Sequence, residues 1–131
     1  MRFTEHELTA GLTGAAKNVH AAQDKQVRKG QRTAEEAWDE LGRFQRFQLL
    51  DGLGDQLLPV LVALPDVEIP AGERAAYTDD QIKAAVEERL GEERGLRRKA
   101  LLAARVALVK LAIGAMPPRA DPDALIVPDH L

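Results

Sequence analysis

The chain contains neither cysteine nor serine, and only five of its 131 residues are aromatic. The lack of cysteine excludes disulfide bonds, thiolate metal sites and cysteine nucleophiles. The lack of serine excludes every mechanism that uses a serine nucleophile. The nucleophilic residue types that remain are not arranged in any recognisable catalytic motif. We therefore expect a protein that is not an enzyme and that carries no cofactor.

The chain also lacks a large excess of charge of either sign. It has 18 Lys and Arg against 21 Asp and Glu, a formal net charge of -3, which argues against a generally basic surface that binds nucleic-acid phosphates. One basic run exists, formed by Arg94, Arg97, Arg98 and Lys99. No aromatic residue interrupts it, and we expect it to pair within the chain, as Glu93 with Arg97 would. Nucleic-acid binding is therefore an unfavoured hypothesis.

No apolar segment is long and uncharged enough to span a membrane. The most apolar stretch, residues 96–115, carries Arg105 and Lys110 in its interior, whereas a membrane-spanning helix needs about 20 predominantly apolar residues. The N-terminal residues lack the basic start and apolar core of a signal peptide. We expect a cytoplasmic protein without membrane contact, and its hydrophobic content of 45% is sufficient for one core.

Hydrophobic periodicity and capping signals predict an all-α protein. Three segments begin with a capping box, in which Thr precedes Glu or Gln by three residues. The boxes are Thr4 with Glu7, Thr33 with Glu36, and Thr78 with Gln81. We predict four main helices and one short helix, packed as an irregular bundle around the last of them. The main helices span 5–29, 34–51, 79–90 and 96–115, and the short helix spans 56–64.

The remaining segments predict breaks and loops. Glycines within 51–55 and at Gly91 and Gly95 interrupt the helical patterns. Residues 65–77 predict an irregular loop, although short strands near 60–69 remain an alternative because brief apolar runs do not distinguish strand from helix. Pro117 and Pro118 end the last helix. We therefore expect a single domain at 1–116 and an extended arm at 117–131.

The first predicted helix carries two partly apolar sectors. Gly11 and Gly14 lie beside its main apolar face, and each interior glycine costs about 1 kcal/mol relative to alanine, which favours a close helix approach. These sectors and the apolar triplet of the arm offer more apolar surface than a small bundle readily covers. We expect a homodimer, and the predicted interface comprises Leu8, Gly11, Leu12, Gly14, Leu125, Ile126 and Val127.

The sequence predicts no metal site. His6 and His20 would lie about 21 Å apart along one helix, too far to share an ion, and His130 lies in the arm. The acidic clusters on the predicted helices fall mainly opposite the apolar stripes, where solvated residues are expected.

Arg105 is the residue that best distinguishes a structural module from a ligand-binding domain. Its neighbours are nearly all apolar, so its guanidinium must reach solvent or be matched inside the protein. A carboxylate of the same chain would make Arg105 structural. If it instead faced a cavity beside Trp38 and Phe44, it would anchor an anionic ligand in an apolar pocket.

These features lead to three functional hypotheses. The first is a non-enzymatic helical interaction module that self-associates and is able to take a protein partner. The second is a small-molecule-binding or regulatory domain with the pocket of Arg105, Trp38 and Phe44. Nucleic-acid binding comes third.

Overall fold

The computed structural model describes residues 1–119. Helices make up 69% of these residues and no strand occurs among them, which confirms the predicted all-α class. The six helices are α1 (Glu5–Gln23), α2 (Lys25–Arg28), α3 (Ala34–Glu40), α4 (Arg43–Ala63), α5 (Asp79–Glu88) and α6 (Gly95–Ala115). Leu125, Ile126 and Val127, with most of the predicted arm, lie outside the described residues.

All three predicted capping boxes are present. In each box the threonine hydroxyl accepts a hydrogen bond from a backbone N–H three residues later, and the Glu or Gln side chain accepts one from the threonine N–H. These reciprocal bonds satisfy donors that the first helical turn leaves free. The boxes therefore fix the starts of α1, α3 and α5 where the sequence predicted them.

The first helix ends earlier than the predicted boundary at residue 29. Asp24 adopts an extended backbone conformation and is the N-cap of the short helix α2. Its side chain accepts a hydrogen bond from the Val27 N–H at 3.0 Å. An aspartate side chain can accept hydrogen bonds from nearby backbone N–H groups in place of the helical carbonyl oxygens, and this favours a break in the helix. Arg32 forms ion pairs with both Asp24 and Glu40, which ties α2 to α3.

The prediction for 34–64 was wrong at two places. The chain breaks at Leu41, which is extended, and a new helix starts at Gly42, whose N–H donates to the Gln45 side chain at 3.1 Å. The expected turn at 51–55 is instead helical, so α4 runs unbroken through the predicted short helix. The strand alternative at 60–62 is excluded by the same finding, whereas the predicted irregular loop at 65–77 is confirmed.

Burial explains why α4 continues through two glycines and Pro59. Leu53, Leu57 and Leu61 follow at four-residue spacing and are all buried. Burying the three leucines contributes about 1.5–3 kcal/mol each, which offsets a cost of about 1 kcal/mol for each interior glycine and about 3 kcal/mol for the proline. The continuous helix is therefore stabilised by packing rather than by local propensity.

The predicted break between the last two main helices is confirmed. Gly91 and Gly95 have φ values of +69° and +67°, a region that residues with a side chain rarely adopt. α6 then runs to Ala115, and the C-cap Met116 separates it from the two prolines.

The closest helix pair in the bundle is α1 with α6. A Cβ on Gly11 would lie 2.8 Å from the carbonyl oxygen of Ala112, and one on Gly14 would overlap the Cβ of Ala115. The predicted close helix approach is thus confirmed, and its partner is α6 of the same chain. α3 and α4 pack on α1, and α5 packs on α4 and α6. The largest fully buried side chains are those of Leu57, Val60, Leu61, Leu64, Val86, Val109 and Met116.

Candidate interaction surface

Large apolar side chains remain uncovered on two helices. Phe44 is 70% exposed, Phe47 63%, Val62 63% and Leu96 83%, while Leu58 and Leu111 are exposed to a smaller extent. All six of these side chains lie on α4 or α6, and they are all the exposed large hydrophobic residues that residues 1–119 contain. Single exposed apolar residues need no explanation, but a set confined to two helix faces is typical of interaction surfaces.

Four of the six form one line along α4. We define the α4 stripe as the exposed residues Phe44, Phe47, Asp51, Asp55, Leu58 and Val62. At 3.6 residues per turn they fall within about 80° of one another and extend over about 27 Å. The stripe lies away from the buried side of α4, which carries Leu53, Leu57 and Leu61. Its two ends are therefore apolar, and its middle carries two carboxylates.

A shallow depression borders the N-terminal end of this stripe. It has a volume of about 360 Å³ and is lined by Arg43, Arg46, Phe47 and Leu50. The Arg46 Nε atom donates to the carbonyl oxygen of Leu41 at 3.1 Å, which holds that arginine at the α3–α4 joint. Arginine and aromatic side chains are the residue types enriched in protein interfaces.

The outward side of α6 is apolar as well. We define the α6 face as Leu96, Ala100, Ala103, Ala107, Leu111 and Gly114, all of them exposed. They also fall within about 80° of one another on a helical wheel. A helix that is apolar on nearly every side is expected to be covered on every side, yet the described residues leave this face open.

A groove of about 480 Å³ runs beside the α6 face, between α5 and α6. Its floor is formed by Leu102, Ala103, Val106 and Ala107. Charged residues border it: Asp79, Asp80, Lys83, Lys99 and Lys110.

Ion pairs around the groove engage some of these charges. Lys110 Nζ lies 2.8 Å from Asp79 Oδ1. Lys99 has no ion pair or hydrogen-bond partner within residues 1–119. The expected pairing of Glu93 with Arg97 is present at 3.4 Å, so part of the basic run at the start of α6 is matched within the chain.

The strongest buried electrostatic contact lies at the opposite end of α6. Glu7 is 3% exposed, and its Oε1 accepts from Arg119 Nη2 at 2.7 Å and from the Thr4 N–H at 2.8 Å. Burial acts to raise the pKa of Glu7, but the bonds from Arg119 and Thr4 outweigh it and hold that pKa below its ordinary value. Burial and the charge of Asp66 raise the pKa of the nearby Tyr77 to about 12. This cluster fastens residues 117–119 to α1.

The three residues predicted to form a ligand pocket lie in different settings. Trp38 is buried in the core, Phe44 is exposed on α4, and Arg105 is half-buried on α6. None of them lines the cavities described above, and Arg105 has no ion pair or hydrogen bond within the described chain. The break at Leu41 and Gly42 explains part of the difference, because it interrupts the helical periodicity that relates Trp38 to Phe44.

The predicted interface residues of α1 mostly face the chain's own helices. Gly11 and Gly14 pack against α6, and Leu8 and Leu12 are half-buried against the core. The sequence analysis missed the α4 stripe, although its 3- and 4-residue spacing was present. The signal was lost because residues 51–55 were interpreted as a turn that separates two helices.

Other classes of site find no support in the described chain. No group of three or more His, Asp or Glu side chains in residues 1–119 is arranged to hold a metal ion. None of the helices in this part is long and apolar enough to cross a membrane. Comparisons with protein families, curated proteins and solved structures give no match. The two uncovered helix faces are therefore the candidate site of the described chain.

Proposed function

We propose that the protein is a helical interaction module that self-associates through the outward faces of α4 and α6. The observation that carries this proposal is that all exposed large hydrophobic side chains of residues 1–119 lie on these two helices. Covering them removes apolar area from water, which contributes about 25 cal/mol per Å².

Light scattering or sedimentation velocity at micromolar concentration tests the proposal directly. The expected mass is at least twice the chain mass of 14.3 kDa. A mass near 14.3 kDa up to about 100 μM would reject self-association, since that range covers the affinities of ordinary stable dimers.

A pair of matched variants connects the association to the α4 stripe. Phe44→Ser/Phe47→Ser removes two exposed aromatic rings, so we expect a monomer with unchanged helix content by circular dichroism. Gln48→Ser/Gln56→Ser makes two polar substitutions at exposed positions of the same helix outside the stripe. The control is expected to remain associated, and its dissociation would show that the effect is not specific to the stripe.

Binding of a small amphiphilic anion is a second candidate, favoured by the groove between α5 and α6. Its volume of about 480 Å³ lies within the range of small-molecule sites, and Lys83, Lys99 and Lys110 border an apolar floor. Dodecanoate below its micellar concentration is a suitable probe. This function predicts a rise in melting temperature that is lost in Lys99→Gln, and an unchanged melting temperature would eliminate it.

A further inference from the structure

The α4 stripe has a spacing that a second surface of the same chain reproduces. Along α4, from its N-terminus to its C-terminus, the stripe residues follow at steps of 3, 4, 4, 3 and 4 residues. Along α6, in the opposite direction from Gly114 to Leu96, the face residues follow at the same steps. Both sets are about 80° wide. Two helices with equal spacing in opposite directions can pack antiparallel with every position in register.

We infer that the α4 stripe of one copy packs antiparallel on the α6 face of a second copy. This inference rests on the proposed self-association and specifies which surfaces meet. Within one chain the two surfaces cannot meet, because each lies away from the buried side of its helix, and α4 and α6 already pack together within the bundle.

The antiparallel register pairs two large side chains of the stripe with small residues and two with leucines. Phe44 then faces Gly114 and Leu58 faces Ala100, whereas Phe47 faces Leu111 and Val62 faces Leu96. Alternation of large and small residues across facing positions lets two helices interdigitate. In this register the α6 face of the second copy covers all four large side chains, which lie at the two ends of the stripe.

The charge in the middle of the α4 stripe is complementary to lysines that flank the α6 face. Asp51 and Asp55 in the middle of the stripe face Ala107 and Ala103 of the partner, whose α6 carries Lys110 and Lys99 one turn away from those alanines. Lys110 is within reach of its own Asp79 as well, whereas Lys99 is unpaired in the described chain. Opposite charges of this kind select a partner surface and fix its register.

Pairing of like surfaces is disfavoured by the same charges. An antiparallel pair of two α4 stripes that matches their apolar ends brings Asp51 of one copy against Asp55 of the other. An antiparallel pair of two α6 faces brings Lys99 against Lys110 in the same manner. Like charges placed opposite one another are repulsive, so the crossed pair of stripe and face is the favoured arrangement.

Charge-reversal variants of the two surfaces, measured separately and as a mixture, test the inference. Asp51→Lys/Asp55→Lys and Lys99→Glu/Lys110→Glu are each expected to weaken association by about tenfold or more, because each variant brings like charges together at the contact. A 1:1 mixture of the two variants restores opposite charges and is expected to associate with about wild-type affinity in sedimentation velocity. Glu87→Lys/Glu88→Lys changes the charge by the same amount on α5, outside both surfaces, and is expected to associate as the wild type does.

The outcomes separate this inference from the proposed function. If the wild type associates and Phe44→Ser/Phe47→Ser dissociates, but the mixture does not recover, the stripe packs on another surface and the inference is overturned while self-association stands. If the wild type is a monomer, both fail.

Disulfide cross-linking provides a second measurement that does not depend on charge variants folding normally. The chain has no native cysteine, so Phe47→Cys copies mixed with Leu111→Cys copies report on one predicted contact. Oxidation of the mixture is expected to give a cross-linked dimer of the two variants, and Phe47→Cys mixed with Ala84→Cys is expected to give none. Equal cross-linking in both mixtures would overturn the register.

Discussion

At the scale of single residues, Gly11 sets how closely α1 approaches α6. A Cβ at this position would meet the Ala112 carbonyl oxygen, a backbone atom that cannot move alone. We predict that Gly11→Ala lowers the free energy of unfolding by about 1–3 kcal/mol, because overpacking outweighs the gain in helix propensity. Chemical denaturation measures the change.

Gly52 is the matched control for this substitution. It is also interior to a helix, but no atom lies within 4 Å of its would-be Cβ. Gly52→Ala is expected to raise the free energy of unfolding by about 0.5–1 kcal/mol through helix propensity. Equal effects of the two substitutions would show that the close approach does not determine the cost at Gly11.

Buried Glu7 forms an ion pair with Arg119, whose side chain is 27% exposed, and the energy of this pair is measurable as a coupling. We predict that Arg119→Met lowers the free energy of unfolding by about 2–3 kcal/mol, because it leaves the carboxylate of Glu7 buried without its cation. Glu7→Gln/Arg119→Met is expected to lose less than the sum of the two single variants. Denaturation of all four proteins in a double-mutant cycle provides the coupling, and strict additivity would contradict the pair.

The sequence predicted the role of a single residue correctly where that role did not depend on which helix the residue contacts. The two glycines of α1 predicted a close helix approach because only a tight contact offsets their cost. The proposed pocket of Trp38, Phe44 and Arg105 depended on one continuous helix through residues 38–44, and the break at Gly42 removes that condition. Phe44 therefore belongs to the α4 stripe, a relation that appears only once the helix boundaries are known.

At the scale of helices, starts were more predictable than ends. Capping boxes are local and directional, so Thr4, Thr33 and Thr78 marked three helix starts correctly. The continuity of α4 depends on burial of Leu53, Leu57 and Leu61, which no local signal reports. Gly91 and Gly95 do mark the break between α5 and α6 as predicted, because their backbone adopts positive φ there.

The break between α1 and α2 is expected to depend on pH through Asp24. Hydrogen bonds from Arg32 and from the Val27 N–H lower the pKa of Asp24 from 3.8 to about 2. Because the folded chain favours the ionised carboxylate, this stabilisation is fully present above pH 5 and is lost as the pH falls towards 2. We predict that Asp24→Asn, which keeps a capping side chain, reduces the melting temperature at neutral pH.

The difference between Asp24→Asn and the wild type is expected to shrink as the pH is lowered. Thermal melts between pH 2 and pH 7 measure both curves. Parallel curves across this range would show that the charge of Asp24 does not contribute to stability.

At the scale of the whole molecule, close packing of two helices is combined with an uncovered apolar outer surface. α1 and α6 come close together on glycine and alanine, so the core that they form with α4 and α5 is compact. The aromatic residues Phe44 and Phe47 and the outer side of α6 are then left without cover in the described chain. Under the proposed self-association, a second copy would cover these faces.

If self-association covers these faces, stability must depend on protein concentration. A partner that binds only the folded chain adds a stabilisation that grows with the logarithm of its concentration, about 2.7 kcal/mol when the partner is at 100 times the dissociation constant. For a chain of this size, 1 kcal/mol corresponds to a shift of a few degrees in melting temperature. We predict that the melting temperature of the wild type rises by several degrees between 1 and 100 μM protein.

The rise is expected to disappear in Phe44→Ser/Phe47→Ser, whose melting temperature at low concentration should match that of the wild type because the removed rings are exposed. A wild-type melting temperature that stays constant over this range would show that the two faces remain open in solution.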